Sequence, residues 1–388
     1  MISMNMLKQE IVEYSKAIGI DKIGFASADP FDELKERLRV QQQLNYQSGF
    51  EEKDIEKRTN PKLLMPEAKS LIAIALAYPS RLKKIPKNEK ENRRGLFASV
   101  SWGMDYHIVL RERLEKLEAF IKERVPSAQT KSMVDTGELS DRAVAERAGL
   151  GFVGKNCSLI TPEFGSYVYL GEMITNLPFP PDPPVPESCG TCNKCVEACP
   201  TGALVQGGQL DAKKCLAYLT QTKDFLPDEY RDTLGNRLYG MDKCQIVCPF
   251  NRDKNFYLHD EFEPDPELAM PPLKPLLKIS NRKFKETFGH VSGSWRGKKP
   301  IQRNAIIALA HFKDETALDE LNDVAKKDPR PVIRGTAAWA IGKIGGEKAL
   351  SILKKLETNE TDREVLAEIK KGLALAKNNR IEESPSQS

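Results

Sequence analysis

Cys189, Cys192, Cys195 and Cys199-Pro200 stand in the spacing C-x2-C-x2-C-x3-C-P, and Cys244-x3-Cys248-Pro249 echoes it about 45 residues later. Three thiolates two residues apart converge on one cluster from a tight loop. The fourth, ahead of a proline that turns the chain away, serves the neighbouring cluster, as in two-cluster ferredoxins. The chemistry this spacing predicts is the passage of single electrons through a pair of 4Fe-4S clusters. If the crossing rule holds, Cys189, Cys192 and Cys195 take Cys248 as fourth ligand, and Cys199 joins Cys244 and Cys215. The remaining ligand would fall three residues before Cys244, where the chain has Met241. A neutral thioether holds iron far less well than a thiolate. The second cluster is therefore expected to be three-iron, to be completed by water, hydroxide or Met241, or to be labile.

Other uses of the cysteines fit less well. A structural zinc site commonly draws on two well-separated C-x2-C pairs, whereas Cys189 to Cys195 supplies three thiols at one turn. Disulfides are disfavoured because residues 1–18 form a charged, amphipathic pattern without the apolar stretch of a secretory signal. Cys157 lies outside both runs and reads as a small buried residue.

The remainder of the chain must position these ligands. Its 388 residues, 40% hydrophobic and 29% charged, suit a globular protein of two or three domains. No run approaches 18 uninterrupted apolar residues, so no membrane span is expected. Helical spacing over 7–18, a strand over 22–28, a buried strand over 70–78, an amphipathic helix over 106–125 and a strand over 131–134 predict an α/β layer domain. Ile108, Leu110, Leu114, Leu117 and Phe120 are placed on or near the apolar face of that helix. The proline-rich stretch 178–186 separates this block from the cysteines.

Beyond a second proline-rich passage, 263–275, the character changes. The segments 301–310 and 332–341 are alike, with Arg303 and Arg334 spaced 31 apart. Each is followed by a second helical pattern, 317–325 and 347–356, and a third unit starts near Asp362. Helix pairs at this period predict a HEAT-like solenoid. Net charge is only +4, but residues 278–343 hold 14 Lys and Arg against 7 Asp and Glu, an excess of 14 − 7 = +7. Trp295, Arg296, Lys298, Lys299, Arg303 and Arg334 combine an aromatic ring with cations, the mixture that stacks a base and neutralises phosphates. The ordinary reading is a solvated basic helix face with Trp295 anchored in a core.

The stretch Met133-Val134-Asp135-Thr136-Gly137-Glu138-Leu139-Ser140-Asp141-Arg142, the following Ala145-Glu146-Arg147-Ala148-Gly149-Leu150-Gly151-Phe152, the cysteine runs and Gly289-His290-Val291-Ser292-Gly293-Ser294-Trp295-Arg296-Gly297 resemble epoxyqueuosine reductases. The similarity runs from Asp21-Lys22-Ile23-Gly24-Phe25 to the second repeat.

The resemblance implies a multidomain α/β plus α protein. Its parts would be an N-terminal α/β corrinoid-binding domain (residues 1–180) similar to that of reductive dehalogenases, a ferredoxin-like two-cluster module (181–262), a HEAT-like tRNA-binding solenoid (263–380) and a disordered tail (381–388). It further implies reduction of epoxyqueuosine to queuosine at the tRNA wobble position, with two 4Fe-4S clusters feeding electrons to cobalamin. Asp135 matches the family's acid, and burial beside the corrin would raise its pKa enough for it to donate a proton. Without the resemblance, Asp135 reads as a turn or cap residue ahead of the helix near Asp141. Arg58, Asn156, Ser158, Tyr169, Gln221, Thr222 and Lys223 match segments that contact the corrinoid, and Tyr106 and His107 are pocket candidates.

Family members carry Cys where this chain has Met241. The expected setting is a cytoplasmic monomer with an external electron donor and no membrane association. Two other readings stay open: a corrinoid reductase of a small molecule, of the dehalogenase type, and a tRNA-binding protein whose turnover Met241 impairs.

Overall fold

The computed structural model describes residues 3–382. The tail expected over 381–388 lies outside the described residues from 383 onward, while 381 and 382 belong to the last helix. The chain divides into two compact units, which cut across the linear boundaries read from the sequence. One comprises residues 1–81, 103–215 and 242–263, the other residues 82–102, 216–241 and 264–388.

The first unit is built on a four-stranded sheet of β1 (Lys22–Ser27), β2 (Ser70–Ala77), β3 (Thr130–Met133) and β4 (Val168–Thr175), in the order β1-β2-β4-β3. Every pairing is antiparallel. All eight residues of β2 are buried, as an apolar run covered on both faces must be. Helix α1 (Met4–Ala17) meets α2 (Tyr106–Arg124) through stacked Tyr14 and Phe120 rings, 4.0 Å between centroids. Leu110, Leu114, Leu117 and Ile121 of α2 are fully buried at helical spacing, but Ile108 is 55% exposed and leaves the apolar face assigned to it. Helix α3 (Asp141–Arg147) lies against β1 so tightly that a Cβ on Gly24 would stand 2.1 Å from the Ala148 carbonyl oxygen. Short helices Lys194–Glu197 and Lys243–Ile246 carry the two cysteine runs.

The second unit contains the repeat array: α4 (Lys298–His311), α5 (Leu318–Lys327), α6 (Pro331–Ile344), α7 (Gly346–Asn359) and α8 (Arg363–Glu382). Residues 300–310 of α4 are all buried, and α6 and α8 approach until a Cβ on Gly342 would stand 2.2 Å from the Gly372 oxygen. The core also holds a bidentate ion pair, Arg231 to Glu368 at 2.6 and 3.0 Å, both residues buried. Among the described residues, no helix is long and apolar enough to cross a membrane.

Candidate active site and cluster ligands

Helix α2 begins with Asp105 as its cap, and the Asp105 carboxylate accepts from the His107 backbone N–H at 3.0 Å and faces ring Nδ1 at 2.7 Å. The other ring nitrogen, Nε2, lies 3.5 Å from Asp135 Oδ2. Burial opposes a charge on His107, but the flanking Asp105 and Asp135 carboxylates outweigh it and bring its pKa up to about 9. Asp135 follows β3 with φ 51°, a left-handed conformation unusual for a residue with a Cβ. Its backbone N–H donates to Asp141 Oδ2 at 2.8 Å. Tyr106 stacks on Tyr169 at 4.6 Å and on His107 at 4.2 Å.

The raised pKa expected of Asp135 depends on a corrin packed against it; the chain's own groups act in the opposite direction. Asp135 is exposed, and the charged His107 ring 3.5 Å away holds its pKa below the usual value. The raised carboxyls lie behind it. Burial and the Asp135 charge bring Asp141 up to about 6, and burial followed by the Asp141 charge lifts Glu172 well above its ordinary value.

Arg142 donates to the Cys157 carbonyl, which ties α3 to the loop 155–158. Cys157 has φ 62°, and Asn156 Oδ1 accepts from the Ser158 N–H at 3.1 Å. Asn156 is 7% exposed, and its Nδ2 has no partner. Lys155 reaches from the same loop to the Gly190 carbonyl at 2.7 Å and Asn193 Oδ1 at 3.1 Å, between the first cluster cysteines. Arg58, on the helix Ile55–Thr59, interacts electrostatically with Glu51, Arg142, Glu52 and Asp141. The structure thus brings Arg58, Asn156 and Ser158 to the Asp135 end of the sheet, with Tyr169 stacked beneath Tyr106. A buried amide lacking a partner, beside aromatic and cationic groups, fits a polar cofactor edge such as a corrinoid's amides.

None of the eight cysteines is joined in a disulfide, and the seven in the cluster pattern belong to the first unit. Burial raises Cys189, Cys195 and Cys248; within this set Cys248 acts on Cys189 and Cys195, and Cys192 acts on Cys248. Burial also brings Cys244 up to about 12, with Cys215 first among the neighbouring thiols and Cys195 and Cys199 following. Cys195 thus neighbours both groups, and all seven thiols lie in one neighbourhood of the first unit. Among the described residues no three His, Cys, Asp or Glu side chains are drawn together tightly enough for a single ion. Thiolates sharing a cubane each bind a different iron and need not meet at one point. The donor set fits two clusters at seven of eight positions. The eighth, Met241, is half-buried against the apolar core of the second unit.

The remaining candidates belong to the second unit. Trp295 is 53% exposed, so it is no core anchor; its Nε1–H donates to Gln221 Oε1 at 2.7 Å, and Arg296 donates to the Gln221 carbonyl. Lys298 caps the Ile279 carbonyl at 2.8 Å. Two nucleic-acid candidates are corrected. Arg303 is fully buried, donating to Thr222 Oγ1, the Leu219 and Asp224 carbonyls and Asn304 Oδ1. Arg334 is engaged by Glu360 at 2.8 and 3.1 Å. A helix face rich in cations gave no signal that these two point inward. The sequence reading also missed Asp105, Asp141 and Glu172. The available signals were a capping Asp two residues before a His and a lone charge within the apolar strand β4.

Ferredoxin-pattern thiolates joined to a carboxylate-rich sheet end, in a chain that also carries a helical repeat array, define an iron–sulfur oxidoreductase. The family model for epoxyqueuosine reductase QueG, DUF1730, matches residues 58–136, a 4Fe-4S double cluster binding domain matches 188–251, and HEAT repeats match 297–374. The chain is 66% identical to the epoxyqueuosine reductase of Bacillus cereus over 374 residues, 96% of this chain and 98% of that one. It is 32% identical to that of Escherichia coli over 88% and 90%. The chain belongs to the epoxyqueuosine reductase family. A crystal structure of epoxyqueuosine reductase with an epoxyqueuosine-modified tRNA-Tyr stem loop superposes with a TM-score of 0.95 at 64% identity, covering 97% of this chain and all of the other. A Bacillus subtilis structure, with its catalytic loop swung out of the active site, gives 0.94 at the same identity, covering 96% of this chain and all of that one.

Proposed function

We propose that this chain reduces the epoxide of epoxyqueuosine in tRNA to the alkene of queuosine, the epoxide oxygen leaving as water with the uptake of two electrons and two protons. The observation that carries the reading is the full-length likeness to an enzyme captured with an epoxyqueuosine-modified stem loop. Cys189, Cys192, Cys195 and Cys248 hold one 4Fe-4S cluster. Cys199, Cys215 and Cys244 hold the second, with Met241 at its fourth position. Arg58, Asn156, Ser158 and Tyr169 would hold cobalamin. When bound, the clusters and the corrinoid supply electrons at low potential to the substrate.

The protein's own contribution is the proton. Asp135 faces the leaving oxygen, and His107, protonated at neutral pH, stands behind it as the proton reservoir. Asp105 fixes the ring's orientation. Trp295, Arg296, Lys298 and Lys299 lead into the repeats and contact the tRNA, base by stacking and phosphates by charge. Residues 1–180, 181–262 and 263–380 divide the work as corrinoid, cluster and tRNA segments. The protein acts as a cytoplasmic monomer, where a reducing environment protects the clusters, and takes electrons from an external donor.

The test is anaerobic turnover. Protein reconstituted with iron, sulfide and cobalamin, given a chemical reductant and epoxyqueuosine-containing tRNA, is expected to yield queuosine on nucleoside analysis. Tight tRNA binding with full cofactor content and no conversion would instead support the reading of a tRNA-binding protein disabled at Met241.

A further inference from the structure

Glu172 sits in the middle of β4 and is 1% exposed; its carboxyl makes no close hydrogen bond, and the side chain near enough to act on it as a hydrogen-bond partner is Asp141. In the sheet it pairs with Ala73 on one side and Met133 on the other. A carboxylate in such a place, with no cation facing it, is strongly disfavoured, so the group keeps its proton. Its charged neighbours are Asp141 and, beyond it, Asp135. Asp141 in turn is faced by Asp135, Glu172 and Arg58, and it accepts the Asp135 backbone N–H at 2.8 Å. That amide belongs to the residue held at φ 51°.

Stability does not account for a carboxyl at this position, because an apolar side chain of similar volume would fill the site without burying a polar group. The geometry points to a role for Glu172 as a positioning residue: its neutral carboxyl offers its proton to Asp141, which keeps the Asp141 carboxylate trained on the Asp135 amide and so holds the strained Asp135 turn in the site. This rests on the reading of Asp135 as the catalytic acid. Glu172 itself touches no substrate.

Glu172→Gln, Glu172→Met and the parent, all reconstituted, separate positioning from packing. Gln keeps a neutral donor of the same shape, so kcat should stay within about twofold of the parent. Met removes the donor, so kcat should fall about tenfold or more while KM for tRNA, iron content and cobalamin content hold and Tm stays level or rises. Hydrogen exchange of the peptide spanning 133–141 should quicken in the Met variant alone. Unchanged exchange and unchanged kcat in Met would overturn the proposal, as would a Gln variant as slow as Met, which would require the carboxyl itself. Should the parent fail to reduce epoxyqueuosine, the functional reading falls, and the exchange measurement still decides whether Glu172 holds the turn.

Discussion

His107 Nε2 stands 3.5 Å from Asp135 Oδ2 while Asp105 Oδ1 lies 2.7 Å from the opposite ring nitrogen, so one imidazole is held between two carboxylates. This makes His107 a cation at neutral pH and Asp135 an anion, the reverse of a lone acid waiting with its own proton. A proton passes from His107 to Asp135 once the pair closes from 3.5 Å to hydrogen-bond distance.

The pH profile follows from that pairing. The folded-state pKa of His107 is raised from 6.5 to about 9, so its charged form is complete below the unfolded value and is lost as pH rises through about 9. Turnover should therefore fall on an alkaline limb near pH 9. His107→Asn should remove that limb and lower kcat by about 10²-fold, the usual scale of a lost general acid. A variant that keeps the limb would assign it to another group.

Met241 bears on the clusters alone. Met241→Cys supplies the missing thiolate and should raise iron and acid-labile sulfide per protein towards the content of two full cubanes, with a matching rise in turnover. Equal iron in both versions would remove Met241 from the ligand set. Because Met241 also packs on the apolar core of the second unit, the shorter cysteine should cost that unit about 1 kcal/mol, read as a small drop in Tm.

Arginines in the repeats divide by burial. Arg303→Met strands the Leu219 and Asp224 carbonyls and Asn304 Oδ1, and should cost about 3 kcal/mol of stability, with tRNA affinity falling only as folded protein is lost. Trp295→Ala should leave Tm unchanged and weaken stem-loop binding about tenfold, the scale of one lost base stack. Titrations against a stem loop, paired with thermal melts, separate the two.

The contrast shows what the sequence could convey. The double-cluster cysteine segment, the buried run of β2, the helix over 106–125 and the paired repeat helices were legible because spacing alone dictates them: cluster thiolates recur at fixed intervals and apolar faces recur with the turn of a helix. The inward turn of Arg303 was not, since a guanidinium that satisfies loop carbonyls is indistinguishable in one sequence from one that meets phosphate. Nor was the ionisation of Asp135 legible, because it depends on His107, 28 residues away in sequence and brought alongside only by the folding of α2 against the sheet. Strand β4 escaped notice because Gly171 and Glu172 interrupt its apolar pattern, and Glu172 is the residue with a use there.

Asn156 offers a test of the corrinoid site that needs no turnover. Its Oδ1 holds the Ser158 N–H and thereby the left-handed Cys157, while its buried Nδ2 has nothing to donate to within the chain. Asn156→Asp keeps the acceptor and removes the amide donor, but the carboxylate it buries lowers Tm, so affinity is read at a temperature where the variant stays folded. The cofactor would lose one buried hydrogen bond, worth about 1–3 kcal/mol when left unpaired, and cobalamin affinity should fall roughly 5- to 150-fold by absorbance titration of the anaerobic protein. Asn156→Ala, which loses both roles, should fall further and melt earlier. Corrinoid affinity unchanged in the Asp variant would show that the Nδ2 group faces something other than the cofactor, and the Arg58 and Tyr169 assignments would then have to stand without it.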